Sequence, residues 1–236
     1  MSEIPRGRGV ADITFLLDAT GSMTPCIDAV KEQIGVFLES LRTKDANNAN
    51  PIRHFRVRTV GYRDCGERDF PWLVENDFTD DIAVIRQQLA ALDADGGGDE
   101  PESLLEALYA VAGDESSCMK RGEQSLHPRK WRARTDATRV IVVFTDASYH
   151  PQMQQPAGGT LDDVINRLHE QRIMLSLFAP DMPCHDQLSE VDGAEYHAIP
   201  GSDPQAALRE FVSNPRNFAA TLKQLARTIT ATAAAQ

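Results

Sequence analysis

Basic charge is in short supply. The 236 residues carry 24 Lys and Arg against 35 Asp and Glu, a formal charge of −11, which argues against a general nucleic-acid or anionic-membrane binder. Long apolar runs are missing as well: no stretch approaches the roughly 18 to 20 apolar residues of a membrane span. The N-terminus has no basic segment followed by a long apolar one, so a cytoplasmic location with no membrane partner is expected. Cysteine is sparse. Cys26, Cys65, Cys118 and Cys184 are widely spaced with no C-x-x-C pair, a pattern that indicates neither a zinc knuckle nor a disulfide framework. They read as reduced thiols, with a Cys26–Cys65 bridge as the lesser alternative.

What is present is a globular composition, 42% hydrophobic and 25% charged, sufficient for one α/β domain with a buried core. Residues 1–9 read as a solvated arm and residues 10–232 as a single domain. Val10 to Leu17 has the apolar character of a strand. Ile27, Val30, Ile34, Phe37, Leu38 and Leu41 follow at helical spacing, up to a polar loop at 45–51. Phe55, Val57, Thr59 and Tyr62 suggest a second strand alternating with Arg56 and Arg58, which implies an edge or half-exposed position. A short strand at 72–74 and helices built on Ile82 to Leu92 and Leu104 to Val111 come next.

Arg139 to Phe144 is the most apolar run and reads as a central parallel strand buried on both faces. Helices near 160–171, 204–212 and 216–229 and strands near 173–178 and 194–199 complete the alternation. The pattern predicts a Rossmann-like, doubly wound and mostly parallel central sheet with helices on both faces. Residues 113–137 make a long basic connection. Either Trp131 plugs the base of the domain there while the arginines solvate it, or the stretch Lys120 to Arg134 is a second contact surface for a partner.

Three segments carry candidate chemistry. Asp18-Ala19-Thr20-Gly21-Ser22 ends the first strand and places three short oxygen side chains at alternating positions around a glycine, a set suited to a hard divalent cation. The same residue types cap helices, but Thr24-Pro25 could supply that cap and leave Asp18 and Ser22 free. A glycine run, 96–98, leads to Asp99 and Glu102 at the start of a helix. Those two carboxylates also fit a capping box around Pro101. Asp146 stands at the end of the central apolar strand. In doubly wound sheets ligands collect beyond the carboxyl ends of the strands where the order reverses, and carboxylates gathered there need a cation.

D-A-T-G-S, then G-G-G-D-E-P-E, then F-T-D-A-S, in that order, resemble the von Willebrand factor A domain family with its metal-ion-dependent adhesion site. The resemblance implies one Mg²⁺ or Mn²⁺ at the top of the sheet. Thr20 and Ser22 match the hydroxyl ligands, and Asp18 and Asp146 match carboxylates that often act through water. The middle segment is similar to the acidic variant of integrin β chains, which implies Glu102 as the direct ligand and Asp99 as an auxiliary group. Three ionised acids around a divalent cation leave a net charge near −1, which Arg63, on the same expected face, could offset; His150 is a further candidate, but a histidine at a Pro-flanked turn reads first as incidental. The function so implied is a protein-binding module, not an enzyme, in which the metal bridges to an Asp or Glu of a partner protein. The rival is a Mg²⁺-dependent phosphohydrolase using Asp18 and the same cluster. Against it, Thr20 stands where hydrolases of the haloacid dehalogenase type carry a second acid. Cys184-His185-Asp186 is read as non-catalytic.

Overall fold

The computed structural model describes residues 8–43, 52–96, 100–123 and 125–235. The elements alternate as β1 (Val10–Asp18), α1 (Thr24–Arg42), β2 (His54–Tyr62), β3 (Leu73–Glu75), α2 (Ile82–Ala90), α3 (Leu104–Ala112), β4 (Thr138–Phe144), α4 (Leu161–Gln171), β5 (Ile173–Pro180), α5 (Pro183–Gln187), β6 (Glu195–Ile199), α6 (Pro204–Ser213) and α7 (Pro215–Ala235). The sheet order is β3-β2-β1-β4-β5-β6, parallel throughout except for the antiparallel edge strand β3. The expected mostly parallel, doubly wound sheet is what forms. The polar loop at 45–51 and residues 1–7 of the N-terminal arm lie outside the described residues. Among the described residues no helix is long and apolar enough to cross a membrane.

Period-two alternation in the central strands feeds two cores. Ile13, Phe15 and Leu17 of β1, with Val140, Val142 and Phe144 of β4, pack under α1, α2, α6 and α7. Leu16, Ile141 and Val143 face the opposite side, under α3 and α4. Both faces of β1 and β4 are therefore buried, which explains their near-continuous apolar sequence.

Arg56 and Arg58 depart from expectation. Their strand is internal, between β1 and β3, and both side chains are buried. In the parallel register Asp12 lies opposite Arg56 and Thr14 opposite Arg58. Arg56 Nε and Nη2 donate to the two Asp12 carboxylate oxygens at 3.0 and 2.5 Å, and Arg132 Nη1 donates to the same carboxylate at 2.5 Å. Arg58 donates to Thr14 Oγ1 at 3.0 Å, pairs with Glu75 and lies over the rings of Phe78 and Trp131. The polar face of β2 is thus covered by the connection 113–137, whose His127 and Lys130 carbonyls also accept from Arg56.

That connection is structural at its end. Trp131 is buried and donates from Nε1 to the Val111 carbonyl at 2.9 Å, plugging the base of the domain. Arg132, expected to solvate that plug, is buried against Asp12 instead, while Lys120, Arg121, Arg129 and Arg134 stay exposed. The four cysteines are free. Cys26 is a buried residue of the first turn of α1, whereas Cys65 sits in the loop held by Ser103, and the bridge between them does not form.

Removing Asp12 would leave two guanidiniums buried together without their shared carboxylate. Asp12→Ala should therefore cost about 3–5 kcal/mol. Asp28→Ala, on an exposed helix surface beside Lys31, should cost about 0.5 kcal/mol or less. Urea midpoints at constant slope measure both.

Candidate metal centre

The order of the sheet reverses between β1 and β4, so the two most apolar strands end side by side. β1 ends on Asp18 and β4 opens into Thr145 and Asp146. Thr145 Oγ1 donates to Asp18 Oδ2 at 2.9 Å, fastening the two ends. The other Asp18 oxygen accepts from the Thr20 amide at 3.1 Å and from Thr20 Oγ1 at 2.7 Å. Ser22 Oγ lies 3.3 Å from Thr20 Oγ1 and donates to Asp146 Oδ1 at 3.1 Å. Asp18, Thr20, Ser22 and Asp146 therefore form one continuous run of oxygens across the switch point.

Thr24 does not cap the helix. A 3-10 turn at Gly21–Met23 runs directly into α1, so Thr24 is already helical and its hydroxyl donates back to the Gly21 carbonyl at 3.0 Å. Asp18 and Ser22 are nonetheless spent on the cluster and not on the helix, as the cluster reading requires.

Glu102 reaches the same end of the sheet by another route. Its amide donates to the Ser148 carbonyl at 2.9 Å and its carbonyl accepts from the His150 amide at 3.2 Å, a bridge that laces it to the loop after β4. It is not a helix cap: α3 begins at Leu104, and Ser103 turns its hydroxyl to Asp64 Oδ1 at 2.8 Å. Glu102 is buried, and its Oε2 has no hydrogen-bond partner. Asp99, with Gly97 and Gly98, lies outside the described residues.

Arg63 does not offset the charge of the cluster. It is buried and donates to the carbonyls of Asp95 at 2.8 Å, Pro71 at 3.2 Å and Asp93. Those bonds hold the 93–96 segment against the end of β1, where the Gly21 amide donates to the Gly96 carbonyl at 3.0 Å. Gly96 has φ +80°, a left-handed backbone conformation that favours glycine. His150 Nε2 lies 3.4 Å from Asp64 Oδ1, beside the cluster. Thr145, within F-T-D-A-S but given no role there, and Asp64, in no ligand motif, belong to this neighbourhood. The hydroxyl of Thr145 next to Asp146 was the available signal for the first. Cys184 and His185 make no catalytic pair: the His185 ring nitrogens lie 3.0 Å from the Pro180 carbonyl and 3.2 Å from the Ala147 carbonyl, and burial lowers its pKa.

The acids are held against their charge. Burial, then the neighbouring Asp146, pushes Asp18 from 3.8 up to about 6. Burial, then Asp18, Asp64 and Glu67, pushes Glu102 up to about 8. Burial raises Asp146 as well. Among the described residues no three His, Cys, Asp or Glu side chains gather closely enough to hold a metal by themselves, so an ion here depends on the Thr20 and Ser22 hydroxyls. The oxygen spacings from Asp18 through Thr20 and Ser22 to Asp146 run from 2.7 to 3.3 Å. Adjacent ligands of an octahedral Mg²⁺ at about 2.1 Å are about 3 Å apart. The hard-oxygen donor set, that spacing and the unpartnered Glu102 oxygen fit a divalent cation.

The fold and this crevice define a doubly wound α/β domain with an oxygen-donor cluster at its topological switch point. The model of the von Willebrand factor type A domain matches residues 12–228, and the chain belongs to that family. Two crystal structures of the pilus adhesin SpaC from Lactobacillus rhamnosus GG share the fold. One matches with a TM-score of 0.50 at 12% identity, over 94% of this chain and 32% of that one. The other, in an open conformation, matches with a TM-score of 0.50 at 11% identity, over 94% and 31%. This chain therefore spans about a third of the adhesin chains it matches. No curated protein matches it in sequence.

Carboxyls with raised folded-state pKa values hold protons that the unfolded chain has released, so the metal-free protein should lose stability as pH rises. The window runs from the ordinary carboxylate range, about 4, up to the folded values of about 6 for Asp18 and about 8 for Glu102. Glu102→Gln should flatten the upper part of that decline. Urea unfolding in chelator across the window measures it, and a variant with the wild-type slope would contradict the assignment.

Proposed function

We propose that this domain is a metal-dependent protein-binding module. Thr20, Ser22, Asp18 and Asp146 would hold Mg²⁺ or Mn²⁺, with Glu102 joining from the loop before α3 and Asp99 as its auxiliary. A bound divalent ion with an exchangeable position would supply a bridge to an Asp or Glu of a partner protein, since Mg²⁺ keeps waters that a carboxylate can replace. The observation that carries this reading is the run of hydroxyl and carboxylate oxygens joining the ends of β1 and β4.

The elements divide the work. Asp18 is buried and bound by both Thr20 and Thr145, so it orients the Thr20 hydroxyl while remaining charged beside an ion. Ser22 is half-buried and spans the gap to Asp146, so an exchangeable position on the solvent side would suit the proposed bridge. The SpaC structures are of a pilus adhesin, and that likeness in fold supports binding as the task of such a domain. The exposed basic residues Lys120, Arg121, Arg129 and Arg134 offer a second contact surface at the opposite end of the sheet.

Mg²⁺ or Mn²⁺ titrated into the chelated protein should raise its melting temperature saturably, because a ligand of the native state stabilises it. Asp18→Ala and Ser22→Ala should each remove most of that shift. A partner retained by the wild-type chain in Mg²⁺ should be released by chelator and not retained by Asp18→Ala. Capture indifferent to both treatments would end the reading.

A further inference from the structure

A second cavity, of about 300 Å³, opens at the other end of the sheet, beside the amino end of β2. Its charged lining is Arg42 at the end of α1, Arg53 and His54 at the start of β2, the buried Arg56 and Arg132, and Asp80. We propose that this cavity is an oxyanion site that takes a phosphoryl group.

Among the described residues, cations outnumber the acids that face this cavity. Arg56 and Arg132 share the single carboxylate of Asp12, with Asp80 as the further acid acting on Arg132, and Arg42 and Arg53 bring two more cations to the same space. Arg58, beside them, is occupied with Glu75. Arg132 is buried and its Nε–H has no acceptor. Uncompensated buried charge is costly, and an anion in the adjoining space would relieve it. Among the described lining residues, Arg42 and Arg53 add two exposed guanidiniums at the rim, against one exposed carboxylate, Asp80.

The rim groups are held in place. The Arg42 guanidinium lies 4.7 Å above the Phe55 ring, and Arg53 Nη2 donates to the Arg8 carbonyl at 2.6 Å. Planar guanidiniums fixed around one space match the oxygens of a phosphoryl group, and the surplus of positive charge suits a dianion better than a single carboxylate. The volume stands at the lower end of small-molecule sites, about 300–1,000 Å³, room for a phosphoryl group on a small carrier. In a chain of formal charge −11, this pocket is an exception that bulk electrostatics would not produce.

The test is calorimetric titration of the full chain, freed of divalent ions by dialysis, with inorganic phosphate and separately with AMP, at constant ionic strength set by chloride. Saturable binding of either supports the proposal; tighter binding of AMP identifies a carried phosphoryl group as the source, and equal binding identifies free phosphate. The double variant Arg42→Ala/Arg53→Ala, both exposed, should bind about tenfold more weakly, and Arg53→Glu should abolish binding. Asp18→Ala should leave it unchanged, which separates this site from the metal centre. No saturable heat with either probe, or full affinity in both arginine variants, would overturn it.

Discussion

The hydrogen bond from Thr145 to Asp18 stands for the constraint on which the rest of the molecule depends: β1 and β4 are neighbours, parallel and in register to their carboxyl ends. β2 and β3 lie to one side of that pair and β5 and β6 to the other. Loops leaving the two strands diverge to opposite faces, so a crevice opens between them. Everything proposed for the carboxyl end follows from which side chains the two strands deliver to it. Because both strands are buried on both faces, their ends are fixed by two cores at once, and the oxygens of Asp18, Thr20, Ser22 and Asp146 inherit that rigidity.

The two ends of the sheet treat buried charge differently. At the amino end, Asp12 is enclosed by Arg56 and Arg132, an acid with more cations than it needs. At the carboxyl end, Asp18, Glu102 and Asp146 are buried with pKa values raised by desolvation and by one another. The arginine nearest in sequence, Arg63, spends its donors on backbone carbonyls. Among the described residues, buried acids gather at one end of the sheet and buried guanidiniums at the other. A fold can carry such arrangements only where burial elsewhere is ample, and the continuous apolar faces of β1 and β4 supply it.

Much of this was legible in the sequence because it rests on local patterns. Apolar runs ending in Asp18 and before Asp146, separated by helical periodicities, are sufficient to predict the parallel sheet and the site at its switch point. What was not legible depended on register. Arg56 and Arg58 read as an exposed face because alternation alone cannot say that Asp12 and Thr14 stand opposite them one strand away. Arg132 read as a solvating residue for the same reason, its partner being 120 positions distant. Thr24 had the residue type of a cap, but the 3-10 turn before it consumed the position. Arg63 lay on the expected face, yet three carbonyls of the neighbouring loops claimed it first.

Glu102 shows why the two halves of the crevice are not equivalent. Asp18, Thr20, Ser22 and Asp146 find one another through side chains, so replacing any of them removes a bond from the run. Glu102 is positioned by its backbone, through Ser148 and His150, and its carboxylate is left with an unsatisfied oxygen. Its location is therefore independent of its charge, while its charge is what the surroundings oppose. The Asp64 amide bonds its carboxylate, yet burial and the acids around it outweigh that bond. On the proposed reading its free oxygen is a donor kept for an ion, while the backbone bridge to Ser148 and His150 ties its loop to the end of β4.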